Sequence, residues 1–143
     1  MKSLGHAMRL LPFAALLGAM ALLAMLLVWP GDAPATGTFS VTVEGPDGVL
    51  WSGNVTDEAA TAKSLLLAAA EQGGFEVEAT GRGDGWFVVA IDGIRNEGAG
   101  GWCFAFGQPE AWRYPASGAA RAAPEPGESV WWVYRADGCP GLR

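Results

Sequence analysis

Polar and apolar residues alternate at the start of the folded part of the chain. Within residues 38–44 every second position is apolar, beginning with Phe39. Alternation with a period of two is typical of a strand that buries one face. Turn residues follow at 46–48, and residues 49–55 return to a β-type pattern. These patterns predict that the domain opens with a β-hairpin.

The segment 61–72 has a helical pattern instead. Its apolar positions recur at intervals of three and four residues, which places them on one face of a helix. Thr61 is a suitable N-cap, and Gly73-Gly74 is a suitable stop. The pattern predicts one helix whose apolar stripe packs on a sheet, and that stripe consists of Ala62, Leu65, Leu66 and Ala69.

Four further stretches are rich in β-branched and aromatic residues and predict strands: 75–79, 86–91, 102–106 and 129–135. Glycine is frequent between the second and the third of these, and glycine permits backbone angles that other residues resist. Residues 84–106 therefore predict a central hairpin, in which strand 86–91 pairs with strand 102–106 across a glycine-rich bend.

The last predicted strand carries apolar residues on both faces. Trp131 and Val133 point to one side, and Trp132 and Tyr134 point to the other. This distribution is typical either of a central strand covered on both sides or of a core strand with an aromatic outer surface. The preceding residues 108–123 predict an ordered loop with at most one short strand.

The predicted fold is a single α+β domain, mostly β, at residues 38–143. It has six to seven short strands packed on one helix. A predicted linker at 30–37, rich in Pro, Ala and Gly, precedes this domain. A chain of this length can bury a modest core of its own.

An apolar segment lies before the linker. Residues 10–29 are twenty positions without charge, and a helix of that length spans roughly 30 Å, the thickness of the hydrocarbon core of a bilayer. Lys2 and Arg9 lie in the short segment 1–9 that precedes it. Because basic residues stay on the cytoplasmic side, we expect a single-pass cell-membrane protein with its C-terminal domain outside.

The competing interpretation of the apolar segment is a cleaved signal peptide. The sequence Ala33-Pro34-Ala35 has the small-x-small form of a cleavage site. Against cleavage, the apolar run is longer than the core of an ordinary signal peptide. The protein is membrane-tethered in one case and secreted in the other, and both place the domain outside the cytoplasm.

The charge balance excludes several classes of partner. Seven of the nine basic residues and all fifteen acidic ones lie from Gly31 onward, which gives that part a net charge of −8. Nucleic acid requires a basic face, so we expect no nucleic-acid partner. An acidic domain is also poorly suited to lie on an anionic lipid surface.

The residues needed for common catalytic and metal sites are missing. The only histidine, His6, lies in the N-terminal segment, which excludes His-based triads and His-ligated zinc from the domain. Asp84, Asp92 and Glu97 could converge as a carboxylate pair, but nothing in their spacing selects that chemistry over solvated turns. We expect no enzyme, no catalytic residues and no metal site.

The two cysteines suggest a disulfide. Cys103 lies on the predicted strand 102–106, and Cys139 lies just past the last predicted strand. Two cysteines in an exported domain tend to pair. If the two strands are neighbours, a Cys103–Cys139 bridge would hold the C-terminus in place; the alternative is two unpaired small apolar residues.

The order of these patterns resembles a known family. The domain opens with Phe39-Ser-Val-Thr-Val-Glu-Gly-Pro, and a helix built as Thr61-Ala-Lys-Ser-Leu-Leu-Leu-Ala-Ala-Ala follows. Next come Gly85-Trp-Phe-Val-Val-Ala-Ile-Asp-Gly-Ile, Trp102-Cys-Phe-Ala-Phe and Gly127-Glu-Ser-Val-Trp-Trp-Val-Tyr. Over residues 38–135 the chain resembles the transcobalamin-like C-terminal domain. This bacterial domain is similar to the small β-rich domain of the vitamin B12 carriers transcobalamin and intrinsic factor.

The resemblance implies a ligand. In the carriers, cobalamin is held between this domain and a large helical barrel, and the barrel is absent here. The matching positions are the turn before Trp86 and the strand 102–106 with its following loop. Where the family often has an Asn-Gly turn, this chain has Phe106-Gly107-Gln108-Pro109. The resemblance therefore implies cobalamin or a related corrinoid as a bound ligand. The sequence itself indicates no cofactor.

Tryptophan content points in the same direction. Seven Trp residues are more than a core of this size needs, and Trp is common at recognition surfaces. We expect a binding module that captures a corrinoid together with an envelope or transporter partner protein. The alternative is a cell-envelope interaction or adhesion module without a small ligand. The predicted binding residues are Asp84, Trp86, Trp102, Phe104, Phe106, Gln108, Trp112 and Trp132.

Overall fold

The computed structural model describes residues 35–140. The predicted membrane or signal helix at 10–29 lies outside the described residues. Within residues 35–140 no helix is long and apolar enough to cross a bilayer. The strands are β1 (Ala35–Gly45), β2 (Gly48–Ala60), β3 (Val77–Thr80), β4 (Phe87–Ile91), β5 (Ile94–Arg95), β6 (Gly101–Gly107) and β7 (Ser129–Arg135); the helix is α1 (Ala62–Gly73), and a 3₁₀ turn occupies Gly83–Gly85.

The larger sheet has four strands in the order β2-β1-β7-β6. β1 pairs with β2 in the opening hairpin, which confirms that prediction, although both strands are longer than the alternation indicated. β1 begins at Ala35, three residues before the predicted start at Thr38. β7 lies between β1, to which it is parallel, and β6, to which it is antiparallel.

The helix begins and ends within one residue of the predicted segment 61–72 because its caps are encoded locally. Thr61 Oγ1 accepts the backbone N–H of Ser64 over 3.1 Å, and Ser64 Oγ accepts the backbone N–H of Thr61 over 2.9 Å. This reciprocal pair is a capping box. At the other end Gly74 has φ 69°, a left-handed conformation that glycine adopts without strain.

The core lies between the helix and one face of the larger sheet. The predicted stripe of the helix is buried, with Leu65 and Leu66 fully inaccessible, and it belongs to one cluster with Phe39 and Val41 of β1. From β7, Trp132 enters the same cluster and its Nε1 donates to the C=O of Ala62 over 3.3 Å. A mostly β domain with one packed helix is thus confirmed.

The second sheet shows that one prediction is wrong. It contains β3, β4 and β5 in that order, so strand 86–91 does not pair with strand 102–106. The chain reverses early, at Asp92 and Gly93, which have φ of 49° and 78°. Two positive φ values in a two-residue loop form the turn that best suits the twist of a hairpin. β4 therefore pairs with the short β5, and β6 joins the other sheet.

β7 is covered unevenly on its two faces. Trp132 packs into the core, while Trp131 lies on the opposite face, where its ring stacks on Trp112 at 5.2 Å between centroids. The Nε1 of Trp131 also donates to Glu44 Oε2 over 2.9 Å. β7 is therefore a central strand whose outer face is partly covered by the loop between β6 and β7.

The described residues carry their own core and cross-link. Residues Ala33–Arg143 form one compact unit, and the buried apolar residues within 35–140 form a cluster drawn from both sheets and the helix. The disulfide also lies in this unit. The unit, called the compact unit below, therefore contains a core and a cross-link of its own, as an independently folding domain does.

Candidate ligand-binding groove

A groove of about 600 Å³ opens beside β6. One side is formed by the 3₁₀ turn and the first residues of β4, and the other side is formed by loop residues 114–119. The edge of β6 and the C-terminal residues 138–140 complete the lining. The groove thus lies where the two sheets, one loop and the C-terminus meet.

Six aromatic rings line the groove. Two of them, Trp102 and Trp132, are buried at its base. Phe104 packs on Trp132, with 5.2 Å between ring centroids. Phe87 is 55% exposed, the most exposed aromatic side chain of those described. The rings that line the groove are those of Trp86, Phe87, Trp102, Phe104, Tyr114 and Trp132.

Charged groups lie beside the groove. The carboxylate of Asp84 is 70% exposed and pairs with Arg121, Nη1 to Oδ2 being 3.3 Å apart. The Lys63 ammonium lies 5.2 Å from the centroid of the Trp86 ring, a distance at which a cation is attracted to the ring face. The Lys63 cation lies over one face of the Trp86 ring, and Asp84 and Arg121 form an exposed ion pair at the edge of the groove.

Asn96 links the two sheets at the groove. Its Nδ2 donates to the C=O of Val88 in β4 over 2.8 Å, and its Oδ1 accepts the backbone N–H of Trp102 in β6 over 2.9 Å. A Cβ on Gly101 would lie 3.2 Å from that oxygen, which is closer than side chains tolerate without adjustment. Glycine at 101 therefore allows β6 to approach Asn96.

The disulfide forms part of the groove wall. Cys103 and Cys139 are bonded, with 5.4 Å between their Cα atoms, which confirms the predicted pairing. β6 and β7 are neighbours, so the bridge ties the residues after β7 back onto β6. Both cysteines, with Gly138 and Pro140, line the groove.

The loop between β6 and β7 is held by local bonds. Arg113 exchanges two backbone hydrogen bonds with Phe106, of 2.9 and 3.0 Å, and its guanidinium donates to both carboxylate oxygens of Glu128. Partial burial by itself would raise the pKa of Glu128. The bonds from Arg113 and from the backbone N–H of Glu125 outweigh that effect and hold the pKa below its ordinary value. The loop is an ordered wall, as predicted.

The structure brings together five of the eight predicted binding residues. Asp84, Trp86, Trp102, Phe104 and Trp132 line one groove although they come from three separate segments of the chain. This convergence arises from β4 and β6 meeting at Asn96, not from the hairpin that the sequence predicted.

The other three predicted residues do not line the groove. Phe106 is fully buried in the core because its side chain shares the inner face of the larger sheet. Gln108 is exposed and donates to the C=O of Gly127 over 3.2 Å. Trp112 stacks on Trp131, on the face of β7 opposite to the core.

Several lining residues were missed at the sequence level. Phe87 was counted within a strand without regard to its exposure, and Asn96 was treated as part of a bend. The Asp92-Gly93 turn, between Ile91 and Ile94, was the available signal: it reverses the chain directly after β4 and leaves Asn96 free to reach β6. Tyr114 and Pro115 lay in the predicted loop, which had no predicted contact with β4.

No cluster of three metal-ligating side chains occurs among residues 35–140. Three carboxylates were considered as members of a catalytic pair. Asp84 lines the groove, whereas Asp92 and Glu97 do not. The groove can offer ring faces, backbone polar groups and one carboxylate at its edge. Such a set is suited to holding a partly apolar molecule.

No protein-family model matches the chain, and no curated protein matches it. Among solved structures, the chain is similar to a proposed metal-binding protein from Ruminococcus gnavus ATCC 29149, with 16% identity and a TM-score of 0.48. The likeness covers 68% of this chain and 95% of that one.

Proposed function

We propose that the protein is an extracytoplasmic binding module, without enzymatic activity, that takes a ligand with a flat and largely apolar face into the groove beside β6. The observation that carries this proposal is the convergence of six aromatic rings on one open groove of about 600 Å³. Pockets of small-molecule ligands have the same character, being concave and mostly apolar with a few polar groups.

A corrinoid such as cobalamin is the specific candidate. The groove volume is in the range, roughly 300–1,000 Å³, of sites that enclose a drug-sized ligand. A corrinoid is larger than such a ligand, so this groove would cover only part of it. The remainder would face a partner protein of the envelope or a transporter, which agrees with a carrier in which two domains share the ligand.

The location outside the cytoplasm has independent support. Disulfides persist in oxidising compartments and are rare in the cytosol, and the cysteines within residues 35–140 are joined to each other. The apolar segment 10–29 is the predicted membrane anchor or signal. We propose a single-pass cell-membrane protein, or a secreted one if the leader is removed.

A second candidate is an interaction module without a small ligand. Val49 and Leu50 are 60% and 37% exposed at the start of β2, and neither lines the groove. Two adjacent exposed apolar side chains beside a turn could contact another envelope protein. This candidate would leave the aromatic groove without a role, and we rank it second for that reason.

The proposal is tested by titrating the compact unit with cobalamin while following tryptophan fluorescence and corrin absorbance. Trp86→Ala removes a groove ring, and Trp112→Ala removes a similarly half-buried ring outside the groove. We expect Trp86→Ala to weaken binding about tenfold or more, as loss of an aromatic anchor does. Trp112→Ala should change it little. Equal losses in the two variants, or no response at high micromolar cobalamin, would contradict direct capture in this groove.

A further inference from the structure

β6 is an edge strand of the larger sheet, and its outward polar groups can be traced one by one. The backbone N–H of Trp102 points away from β7, since it donates to Asn96 Oδ1 over 2.9 Å. The N–H and C=O of Phe106 also point away from β7, since both bond to the backbone of Arg113. Asn96 and Arg113 therefore each occupy the position of a neighbouring strand, one at either end of β6.

Phe104 lies midway between these two occupied positions. The pairing of β6 with β7 runs without a register shift from Gly101 to Gly107. In an antiparallel pair, the residues whose backbone groups face outward alternate with those that face the partner strand. The N–H and C=O of Phe104 must therefore point outward, as those of Trp102 and Phe106 do.

Nothing within residues 35–140 bonds to these two groups of Phe104. The loop runs beside β6 only at Arg113 and then leaves the edge, because Pro115 has no N–H with which to continue a ladder. At Trp102 the outward C=O faces the bonded sulfur of Cys139 at 3.5 Å, which has no proton to donate. Within the described residues, the edge of β6 thus has a gap that contains both outward groups of Phe104 and begins at the C=O of Trp102.

The gap opens into the groove. Phe104 lines the groove, and so do Tyr114 and Pro115 on the facing wall. Phe104 is partly accessible, while its neighbours Cys103 and Ala105 are buried. Among residues 35–140, a ligand in the groove would therefore meet the unpaired N–H and C=O of Phe104 side by side, with the C=O of Trp102 next to them.

We infer that the groove recognises a carboxamide group, which donates to the C=O of Phe104 and accepts from its N–H. A primary carboxamide presents an N–H and its C=O on the same side of one plane, so it can take the place of the N–H and C=O that one residue of an added antiparallel strand would offer. When a ligand covers a backbone N–H or C=O without bonding to it, the loss of free energy is larger than the gain from a typical hydrogen bond. An ester has no N–H to donate and a hydrocarbon has neither group, so the site should favour an amide over either molecule of similar size. The inference rests on the proposed function in that it takes the groove to be the ligand site.

Two sources share this chemistry: the carboxamide side chains that surround a corrin ring, and the amide of a short peptide. Three probes distinguish them. They are cobalamin, a corrinoid whose ring carboxamides are replaced by methyl esters, and N-acetyl-phenylalanine amide. Each is titrated into the ¹⁵N-labelled compact unit, and the amide signal of Phe104 is followed by NMR.

A pair of variants isolates the backbone group from the side chain. Phe104→Ala removes the ring and keeps the N–H, whereas Phe104→Pro removes both. Proline is tolerated on an edge strand where the N–H faces away from the neighbouring strand. We expect Phe104→Pro to bind the responding probe about tenfold more weakly than Phe104→Ala does. Thermal unfolding of both variants checks that they fold, and the wild-type NMR titration does not depend on either variant.

The outcomes separate this inference from the proposed function. Binding of cobalamin with a shift of the Phe104 signal, and about tenfold weaker binding of the ester, supports both. A response of Phe104 to N-acetyl-phenylalanine amide alone supports amide recognition and contradicts a corrinoid ligand. Binding of cobalamin without any change at Phe104, or equal affinities of the alanine and proline variants, overturns the inference and leaves the proposed function standing. No response of Phe104 to any probe also overturns it.

Discussion

The side chain of Asn96 accepts the backbone N–H of Trp102 over 2.9 Å and thereby joins two strands that belong to different sheets. The same side chain donates to the C=O of Val88 in β4 over 2.8 Å. Asn96, Val88 and Trp102 all line the groove. One carboxamide therefore sets the spacing between β4 and β6, and with it the shape of the candidate site.

Substitution of Asn96 tests this link. Asn96→Asp keeps an acceptor for Trp102 but loses the donor to Val88, whose C=O would then face a carboxylate oxygen. We expect the free energy of unfolding to fall by about 1–3 kcal/mol, the cost of an unmet polar group that is partly buried. Urea denaturation of the compact unit measures it. Asn54→Ala, on the exposed face of β2, is the control and should stay within about 0.5 kcal/mol.

The disulfide should contribute substantially to stability. It closes a segment of 36 residues, and in the chain-entropy description such a cross-link is worth about 3–4 kcal/mol. Replacing Cys103 and Cys139 together by Ala should lower the unfolding free energy by about that amount. Reductant should lower the stability of the wild type and leave the double variant unchanged. If reductant affected both proteins equally, the effect could not be assigned to this bond.

Burial distinguishes two adjacent leucines of the helix. Leu66 is fully buried in the core, whereas Leu67 is 42% exposed on the other side of the helix. Leu66→Ala should cost about 2–5 kcal/mol, as removal of a buried leucine does, and Leu67→Ala should change stability by about 0.5 kcal/mol or less. Chemical denaturation of both variants checks the pair. Similar losses would show that the helix packs differently from what is described above.

Acid should weaken the loop through Glu128. Its pKa is held below the ordinary value because the bonds from Arg113 and Glu125 outweigh the opposing effect of partial burial. A carboxyl group with a lowered folded-state pKa stabilises the fold above its unfolded-state pKa, and this stabilisation is lost as the pH falls through the folded-state value. Glu128→Gln should therefore reduce stability at neutral pH, and the difference from wild type should shrink in acid.

A matched ion pair gives the control for this pH dependence. Glu78 also bonds to an arginine, Arg95, through both oxygens, but the two side chains are 50% and 57% exposed. Exposed pairs contribute little because solvent screens them. Glu78→Gln should leave the pH profile of thermal unfolding nearly unchanged. A larger effect from Glu78→Gln than from Glu128→Gln would contradict the role given to the loop pair.

Patterns within short segments were sufficient for most of the elements. The alternation after residue 38 predicts β1, and the cap residues Thr61 and Gly74 bound the helix, because each depends on neighbours a few residues away. The final strand, Ser129–Arg135, was predicted with its true ends and with Trp131 and Trp132 on opposite faces. A mostly β domain with one helix, and the pairing of two cysteines, also followed from the sequence.

Strand partners and the groove depended on contacts between distant parts of the chain. Strands 86–91 and 102–106 are similar in composition, and composition does not determine which strand pairs with which. The Asp92-Gly93 turn pairs β4 with β5 in the smaller sheet, whereas β6 pairs with β7 in the larger sheet. The pairing of the strands decides which elements pack against each aromatic ring. These neighbours in turn decide whether the ring lies in the groove or in the core. Phe104 and Phe106 show this, because they share one strand face and yet only the first lines the groove.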